Sequence, residues 1–292
     1  MIINRFFGGI SNKTLPGFTY TGTYTVVDDG DAGWRIKFLT SGTFVLQQKR
    51  DIDVFCVGGG SSGNYGTIIG AESYTGGAGG AGGYTKTKKN VEALAGKSYS
   101  IVVGAGGTRV GLGSTAVLGH DGGSSSAFGV IAAGGQAVKE KIGSLTYLRA
   151  GNGGSGGGGA GGGIHKGSTG GTNGGNGYYF DYGTETMKII PSSYTWGKGQ
   201  GGTTREFGEP GGTLYAGGGG GGGARDGSTN YAPGSGGSGG GGKGATTSAS
   251  GVNGTANTGG GGGGGCLAES STYRQLGGAG GSGIVVIRNH RS

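Results

Sequence analysis

Residues 280–292, GGSGIVVIRNHRS, pass from a glycine run into four consecutive β-branched residues at 284–287. Branched side chains of this kind favour strands, whereas a flexible glycine segment would have no use for them. Short runs rich in Val, Ile, Tyr, Phe and Thr also occur between residues 22 and 135, and most are bounded by glycine or aspartate. We therefore predict about six to eight strands, with the segment 284–287 returning to the sheet that the earlier strands form.

Glycine accounts for 86 of the 292 residues and only 32% of the residues are hydrophobic, so a conventional core cannot fill this chain. Collagen is excluded because glycine does not recur at every third position and there are only four prolines. An ordered glycine run persists only if its backbone groups find partners. Extended three-fold polyglycine II segments meet this need, because all their N–H and C=O groups point outward and can bond to neighbouring segments.

The sequence thus predicts a mainly β fold, an antiparallel β-sandwich-like framework with an inserted polyglycine II helix bundle and essentially no α-helix. We expect an N-terminal arm at residues 1–14 and one glycine-rich domain at 15–292. The framework is expected at approximately 18–57, 84–133 and 284–288, and the bundle at approximately 134–283. Richer loops interrupt the glycine runs at 164–169, 176–196, 203–215, 224–233, 245–258 and 266–276. A set of flexible glycine linkers is the alternative.

The order of motifs carries a family resemblance. The motifs are TSGTF, IDVFCVGGG, GGAGGAGGYTKTK, AGKSYSIVVGAGG, GGSSSAFG, AAGG and GGSGIVVIR. Over roughly residues 18–288 this order resembles the glycine-rich domains of bacteriophage and prophage tail proteins, of the tail-fibre or tail-tip adhesin type. A similar alternation occurs in the extracellular glycine-rich region of anaplastic lymphoma kinase receptors.

The resemblance implies a virion protein of the tail, synthesised in the cytoplasm of the host bacterium, with no cofactor and with other phage tail proteins as partners. It also suggests a homotrimer, because tail fibres commonly have three-fold symmetry, although some similar glycine-bundle adhesins act as single chains. The leading interpretation is a receptor-binding adhesin whose loops contact a bacterial cell-surface polysaccharide or protein. The alternatives are a purely structural tail-tip or fibre connector and, less favoured, an ice-binding or extracellular matrix protein.

Aromatic side chains are concentrated in the segment GYYFDYGTETMKIIPSSYTW at 177–196. Tyrosine and tryptophan offer a large contact area with few rotatable bonds and a polar tip, which favours them at recognition surfaces. The candidate receptor-binding residues are Tyr178, Tyr179, Tyr182, Tyr194 and Trp196. The same rings could instead form a satellite core beneath the loop.

Catalytic and metal-binding signatures are weak. Gly-x-Ser-x-Gly occurs at 59–63, 153–157 and 236–240. In so glycine-rich a chain such matches are expected by chance, and none has the strand-to-helix setting of a nucleophile elbow. The histidines are dispersed, and the one acidic cluster, Asp28, Asp29 and Asp31, fits a turn between strands better than a calcium site. We expect no enzyme and no metal.

Charge, hydropathy and cysteine content indicate which classes of partner the chain is expected to bind. The net charge is +8, but only KTKK at 86–89 is a tight basic cluster and no basic helix is present, so we expect no nucleic acid. The charge suits an attraction to anionic cell envelopes. No stretch has the character of a secretory signal or a membrane span, so we expect no membrane insertion. Two distant cysteines cannot form a disulfide framework, and Cys56 is expected to be buried in a strand.

Overall fold

The computed structural model describes residues 13–69, 73–110, 118–137, 149–161, 166–181, 183–226, 229–266 and 275–291. Most of the predicted N-terminal arm and the candidate residue Tyr182 lie outside these ranges. Within them, helical structure is limited to two 3-10 turns, Gly30–Ala32 and Glu206–Gly208, neither of which has the length or apolarity of a membrane span. The predicted mainly β fold is therefore confirmed.

The described ranges hold sixteen strands, more than the predicted number, because hairpins of two to four residues per strand leave little pattern in a sequence. The strands are β1 (Phe18–Tyr20), β2 (Tyr24–Asp28), β3 (Trp34–Phe38), β4 (Gly42–Leu46), β5 (Arg50–Val57), β6 (Thr67–Ile69), β7 (Ser73–Thr75), β8 (Thr85–Ala93), β9 (Ser98–Ile101), β10 (Ser125–Ala127), β11 (Val130–Ala132), β12 (Tyr178–Asp181), β13 (Thr186–Ile189), β14 (Arg225–Asp226), β15 (Thr229–Asn230) and β16 (Ile284–Asn289).

The strands form antiparallel sheets. One sheet has five strands in the order β2-β3-β16-β5-β8, a second has three in the order β1-β4-β9, and β6–β7, β10–β11, β12–β13 and β14–β15 are hairpins. In the larger sheet Ile284 lies opposite Val57, and Asn289 lies opposite Ile52. The predicted return of the segment 284–287 to the early strands is thus confirmed, and β16 occupies the centre of the sheet.

Both faces of β16 are buried, which explains its unbroken apolar run. On one face Val285 and Ile287 belong to the core between the two sheets, together with Phe38, Phe44 and Cys56. Burial raises the pKa of the Cys56 thiol to about 12, as expected for a strand cysteine held in an apolar core.

On its outer face the five-stranded sheet has a second apolar cluster. Val286 of β16 and Phe55 of β5 pack there against Phe207 and Tyr215, which belong to a loop of the glycine-rich part of the chain. The long insertion therefore folds back over the framework from which it leaves.

Residues 59–64 show how the glycine segments associate. Successive backbone amides donate to three different neighbouring segments in rotation, so that residues i and i+3 share a neighbour. The bonds run from Gly59 to Gly123, Gly60 to Gly281, Ser61 to Ala81, Ser62 to His120, Gly63 to Gly278 and Asn64 to Ala78. A period of three residues is that of an extended three-fold helix.

The seven-residue glycine run 217–223 has the same rotation. The amides of residues 217, 220 and 223 donate to the segment 239–245, those of 218 and 221 to the segment 168–171, and those of 219 and 222 to the segment 77–80. We call the set of segments bonded in this way the glycine lattice. Its lateral bonding is the one expected of the predicted bundle, while the polyglycine II conformation of each segment and the proposed domain bounds stay predictions.

Close approach of backbones explains why the lattice needs glycine. A Cβ atom added to Gly219 would lie 2.1 Å from the carbonyl oxygen of Gly262, and one added to Gly220 would lie 2.2 Å from that of Gly234. Such distances are far inside van der Waals contact, so even alanine would force neighbouring segments apart.

Ion pairs attach the loop that carries Phe207 to the outer face of the sheet. The buried carboxylate of Glu206 lies 2.6 Å from Arg35 and 3.3 Å from Lys37, both on β3, and accepts a hydrogen bond of 2.9 Å from the Tyr215 hydroxyl. A buried carboxylate is tolerated only with such partners.

Arg288 forms the second part of this attachment from β16. Its guanidinium donates two hydrogen bonds to Glu209, of 2.7 and 2.9 Å, and one of 3.0 Å to the fully buried Asp53. It also lies 4.1 Å from the centre of the Phe207 ring. We call the ion pairs of Glu206, Glu209, Asp53 and their basic partners the ionic clamp.

A matched pair of glycine variants tests whether the glycine lattice is tightly packed. Gly220→Ala should lower the free energy of unfolding by about 1–3 kcal/mol, because its methyl group has no space. Gly202→Ala is the control, since a Cβ there meets nothing within 4 Å, and it should be neutral or slightly stabilising. Chemical denaturation of both variants measures the difference. Equal stability of the two would favour flexible linkers over a packed lattice.

The contribution of the ionic clamp to stability should depend on pH. Burial by itself raises the pKa of Asp53, but hydrogen bonds from His290, from the Asn90 amide and from Arg288 outweigh it and hold the pKa below its usual value. A carboxyl with a lowered folded-state pKa stabilises the fold above its unfolded-state pKa of about 4, and this contribution disappears as the pH falls through the folded-state value.

Arg288→Met should therefore cost about 3–5 kcal/mol at pH 7, because it leaves Asp53 buried without its cation. The difference from wild type should shrink as the pH falls below about 4 and through the lowered folded-state pKa of Asp53, because the protonated carboxyl no longer needs the cation. Lys49→Met, which removes only an exposed ion pair with Glu92, should cost less than about 1 kcal/mol. Thermal unfolding of wild type and of both variants between pH 7 and pH 3 measures these costs. A cost of Arg288→Met that does not change with pH would contradict the pairing of Arg288 with an ionised Asp53.

Candidate functional site

The aromatic segment begins as the hairpin β12–β13. In its register Tyr178 lies opposite Ile189 and Phe180 opposite Met187, so these four side chains share one face of the hairpin. Tyr179 lies opposite Lys188 and points to the other face. The alternation therefore separates Tyr178 from Tyr179.

The base of the hairpin is bonded to the glycine lattice. Ile190 is fully buried, and its amide donates to the carbonyl of Gly177, whose own amide donates to Gly197. The side chain of Asn176 completes the base, because its amide nitrogen donates to the carbonyl of Ile190 (2.7 Å) and its oxygen accepts from the amide of Gly199 (3.0 Å). Both ends of the loop are thereby held together.

Three of the candidate rings come together in a row. The Tyr179 and Tyr194 rings are 6.1 Å apart between centroids, and those of Tyr194 and Trp196 are 5.5 Å apart. Trp196 packs against Ala78 and Ala150 of the lattice, whereas the side chain of Tyr194 is 39% exposed. We call Tyr179, Tyr194 and Trp196 the aromatic row; it has one end in the lattice and its middle ring at the surface.

The other candidate residues are placed differently. Tyr178 is half-buried on the hairpin face away from the aromatic row, and Tyr182 lies outside the described residues. On the face of Tyr178, Met187 is 40% exposed and Ile189 is 58% exposed. Sequence reasoning missed these two residues, although their alternation with Lys188 is a strand signal.

Polar side chains fix the loop between the last two rings. Thr195 is held by Asn152, which donates to its carbonyl (2.8 Å), and by Arg149, which donates to its hydroxyl (3.1 Å). On the exposed side of the hairpin the hydrogen bond from Lys188 lowers the pKa of Asp181. Two cationic side chains, Arg149 and Lys188, therefore lie near the aromatic row, and Asp181 compensates the charge of Lys188.

Two of the three serines in the Gly-x-Ser-x-Gly matches, and one residue of the acidic cluster, have structural partners. Ser61 and Ser155 are fully buried, and their hydroxyls accept hydrogen bonds from lattice amides, those of Ala81 (2.8 Å) and Gly174 (3.1 Å). In the acidic turn, Asp29 forms ion pairs with Arg35 and Arg291. These contacts give Ser61, Ser155 and Asp29 structural roles, and the expectation of no enzyme stays a prediction.

Comparison with known protein families shows to which family the chain belongs. A family model described as a glycine-rich domain matches residues 39–290, which extends from just after β3 through the glycine lattice to the end of β16. No curated protein matches the sequence.

The packing of the aromatic row predicts unequal effects on stability. Trp196→Ala should lower the free energy of unfolding by about 1–3 kcal/mol, because it removes the contact with Ala78 and Ala150. Tyr194→Ala should change it by less than about 0.5 kcal/mol, because that ring is at the surface. Chemical denaturation distinguishes the two, and a large loss in Tyr194→Ala would place its ring in a satellite core instead.

Proposed function

We propose that this chain, which belongs to the glycine-rich domain family, is a bacteriophage tail protein that binds the host cell surface through loops displayed on its glycine lattice. The description of the family states only that the domain is rich in glycine and does not mention a virion. The phage assignment is therefore supported by the order of strand and glycine motifs that resembles tail proteins, and by the exposed aromatic row.

The main support for this function is the exposed middle ring of the aromatic row. Tyr194 stands at the surface, while Trp196 on one side and Tyr179 on the other fix its surroundings. A ring held in this way loses little conformational freedom on binding, so most of its contact energy contributes to affinity. The hydrogen-bonded base of the loop adds to this preorganisation.

Charge supports a cell-envelope ligand. The chain carries a net charge of +8, and bacterial envelopes are rich in anionic groups. Exposed cations increase the rate of encounter with such a surface more than they increase the final affinity. We propose a surface polysaccharide or protein of the host as the ligand and the virion tail as the location, with other tail proteins as neighbours.

A structural connector is the second candidate, and the opposite hairpin face favours it. Met187 and Ile189 are exposed side by side on that face, together with the half-buried Tyr178. Neighbouring exposed apolar side chains favour contact with another protein. If the protein is a connector, this face of the hairpin binds another tail protein, and the aromatic row packs against the opposite face of the hairpin.

Adsorption measurements on purified protein test the adhesin. Tyr194→Ala should weaken binding to envelope from a susceptible host by about 2 kcal/mol or more, roughly thirtyfold, because aromatic anchors dominate interface energies. Tyr231→Ala, which removes a half-buried ring from another loop, is the matched control and should bind as wild type does.

The same assay separates the two candidates. A variant carrying both Met187→Ser and Ile189→Ser should adsorb normally if the protein is an adhesin. Wild-type protein that fails to adsorb to any susceptible envelope, while the double variant alone fails to enter virions, would replace the adhesin with the connector.

A further inference from the structure

The two edges of the five-stranded sheet are protected to different degrees. The edge strand β8 carries Lys86, Lys88 and Lys89, which oppose pairing with another strand. It also contains a bulge, because the register with β5 shifts between Ile52 and Val54, and Asn90 has a positive φ of 54°. Lysines and bulges are the devices by which proteins prevent edge strands from associating.

The opposite edge strand, β2, has none of these devices. Its sequence YTVVD contains no lysine, glycine or proline, and it pairs with β3 without a register shift. Tyr24 is 41% exposed and Val26 is 46% exposed. The only charge, on Asp28, stands at its end. The strand has high β-propensity and an open edge.

The direction of the backbone groups on β2 follows from its bonds to β3. The carbonyl of Thr23 accepts from Leu39 at 2.9 Å, and the amide of Asp29 donates to Gly33 at 2.8 Å. Backbone groups of alternate residues point the same way along a strand, so residues 23, 25, 27 and 29 face β3. The outward N–H and C=O groups are those of Tyr24, Val26 and Asp28, and no backbone partner for them exists in the part of the chain that the structure describes.

We propose that β2 pairs with β2 of a second copy of this chain, antiparallel about a two-fold axis. In this register Val26 lies opposite Val26 of the second copy, and Tyr24 lies opposite its Asp28. The two five-stranded sheets join into one continuous sheet. The dimer does not depend on the proposed function, and it differs from the homotrimer that the tail-fibre resemblance suggests.

Self-complementarity favours a second copy over another partner. The register centred on Val26 uses every residue of the strand and pairs all the outward backbone groups of both copies. It also keeps the two Asp28 carboxylates at opposite ends, each facing an uncharged tyrosine. Like charges directly opposite one another would destabilise the pair, and this register has none.

Sedimentation of the full chain over a range of concentrations tests the dimer. Wild-type protein should be dimeric, and Val26→Lys should raise the dissociation constant about tenfold or more, because it places two cations opposite each other on the axis. Ile131→Lys is the matched control, since Ile131 is a strand residue that is 62% exposed elsewhere, and it should leave the dimer intact. Thermal unfolding checks that both variants fold.

Cross-linking tests the register and does not depend on a folded lysine variant. Val26→Cys should form an oxidised dimer, since hydrogen-bonded antiparallel pairs have Cα atoms about 5.5 Å apart, within the disulfide range of about 4.4–6.8 Å. Thr25→Cys should not, because the Cα atoms of the two introduced residues would lie diagonally, about 7–8 Å apart and outside the disulfide range. The native cysteines are both buried and do not interfere.

The outcomes are decisive for the proposal. Wild-type protein that stays monomeric at all concentrations overturns it, as does a dimer that survives Val26→Lys. Equal cross-linking of Val26→Cys and Thr25→Cys would also overturn it, because the pairing would then lack the proposed register.

Discussion

The fold depends on the need to give every backbone amide of a glycine-rich chain a hydrogen-bond partner. Helices and sheets meet that need with side chains available to fill the interior, but this chain has few to offer. The glycine lattice meets it by sharing each segment among three neighbours. Backbone then packs on backbone at distances that no Cβ atom would allow, and the interior of the insertion is made of peptide groups instead of side chains.

A lattice of this kind has little specificity of its own, because one glycine segment resembles the next. The framework supplies the specificity through side chains. The strand β16 joins the end of the described chain to β3 and β5, and the ionic clamp connects a loop of the insertion with the outer face of the same sheet. Buried ion pairs add little net stability, but they penalise a wrong register strongly, because a shifted segment leaves a charge unpaired.

Local pattern predicted the framework well. The β-branched run of β16 was sufficient to predict a strand that returns to the sheet, and the apolar residues around Cys56 were sufficient to predict a buried thiol, since strands buried on both faces have nearly continuous apolar runs. The aromatic segment was found by composition, but the hairpin and the row of three rings depend on the register of β12 with β13. The clamp could not be found, because Arg35 and Glu206 are 171 positions apart and each is an ordinary charge in its own segment.

The rotation of amides among three neighbours has a consequence for how the sequence can change in length. One residue added inside a lattice segment rotates the rest of that segment by a third of a turn, so that each following amide of the segment faces a different neighbour. Three added residues restore the original directions. Lengths inside segments are therefore expected to vary among relatives in steps of three, whereas the loops between them, the aromatic one included, are free to vary by any number and so to change what they contact.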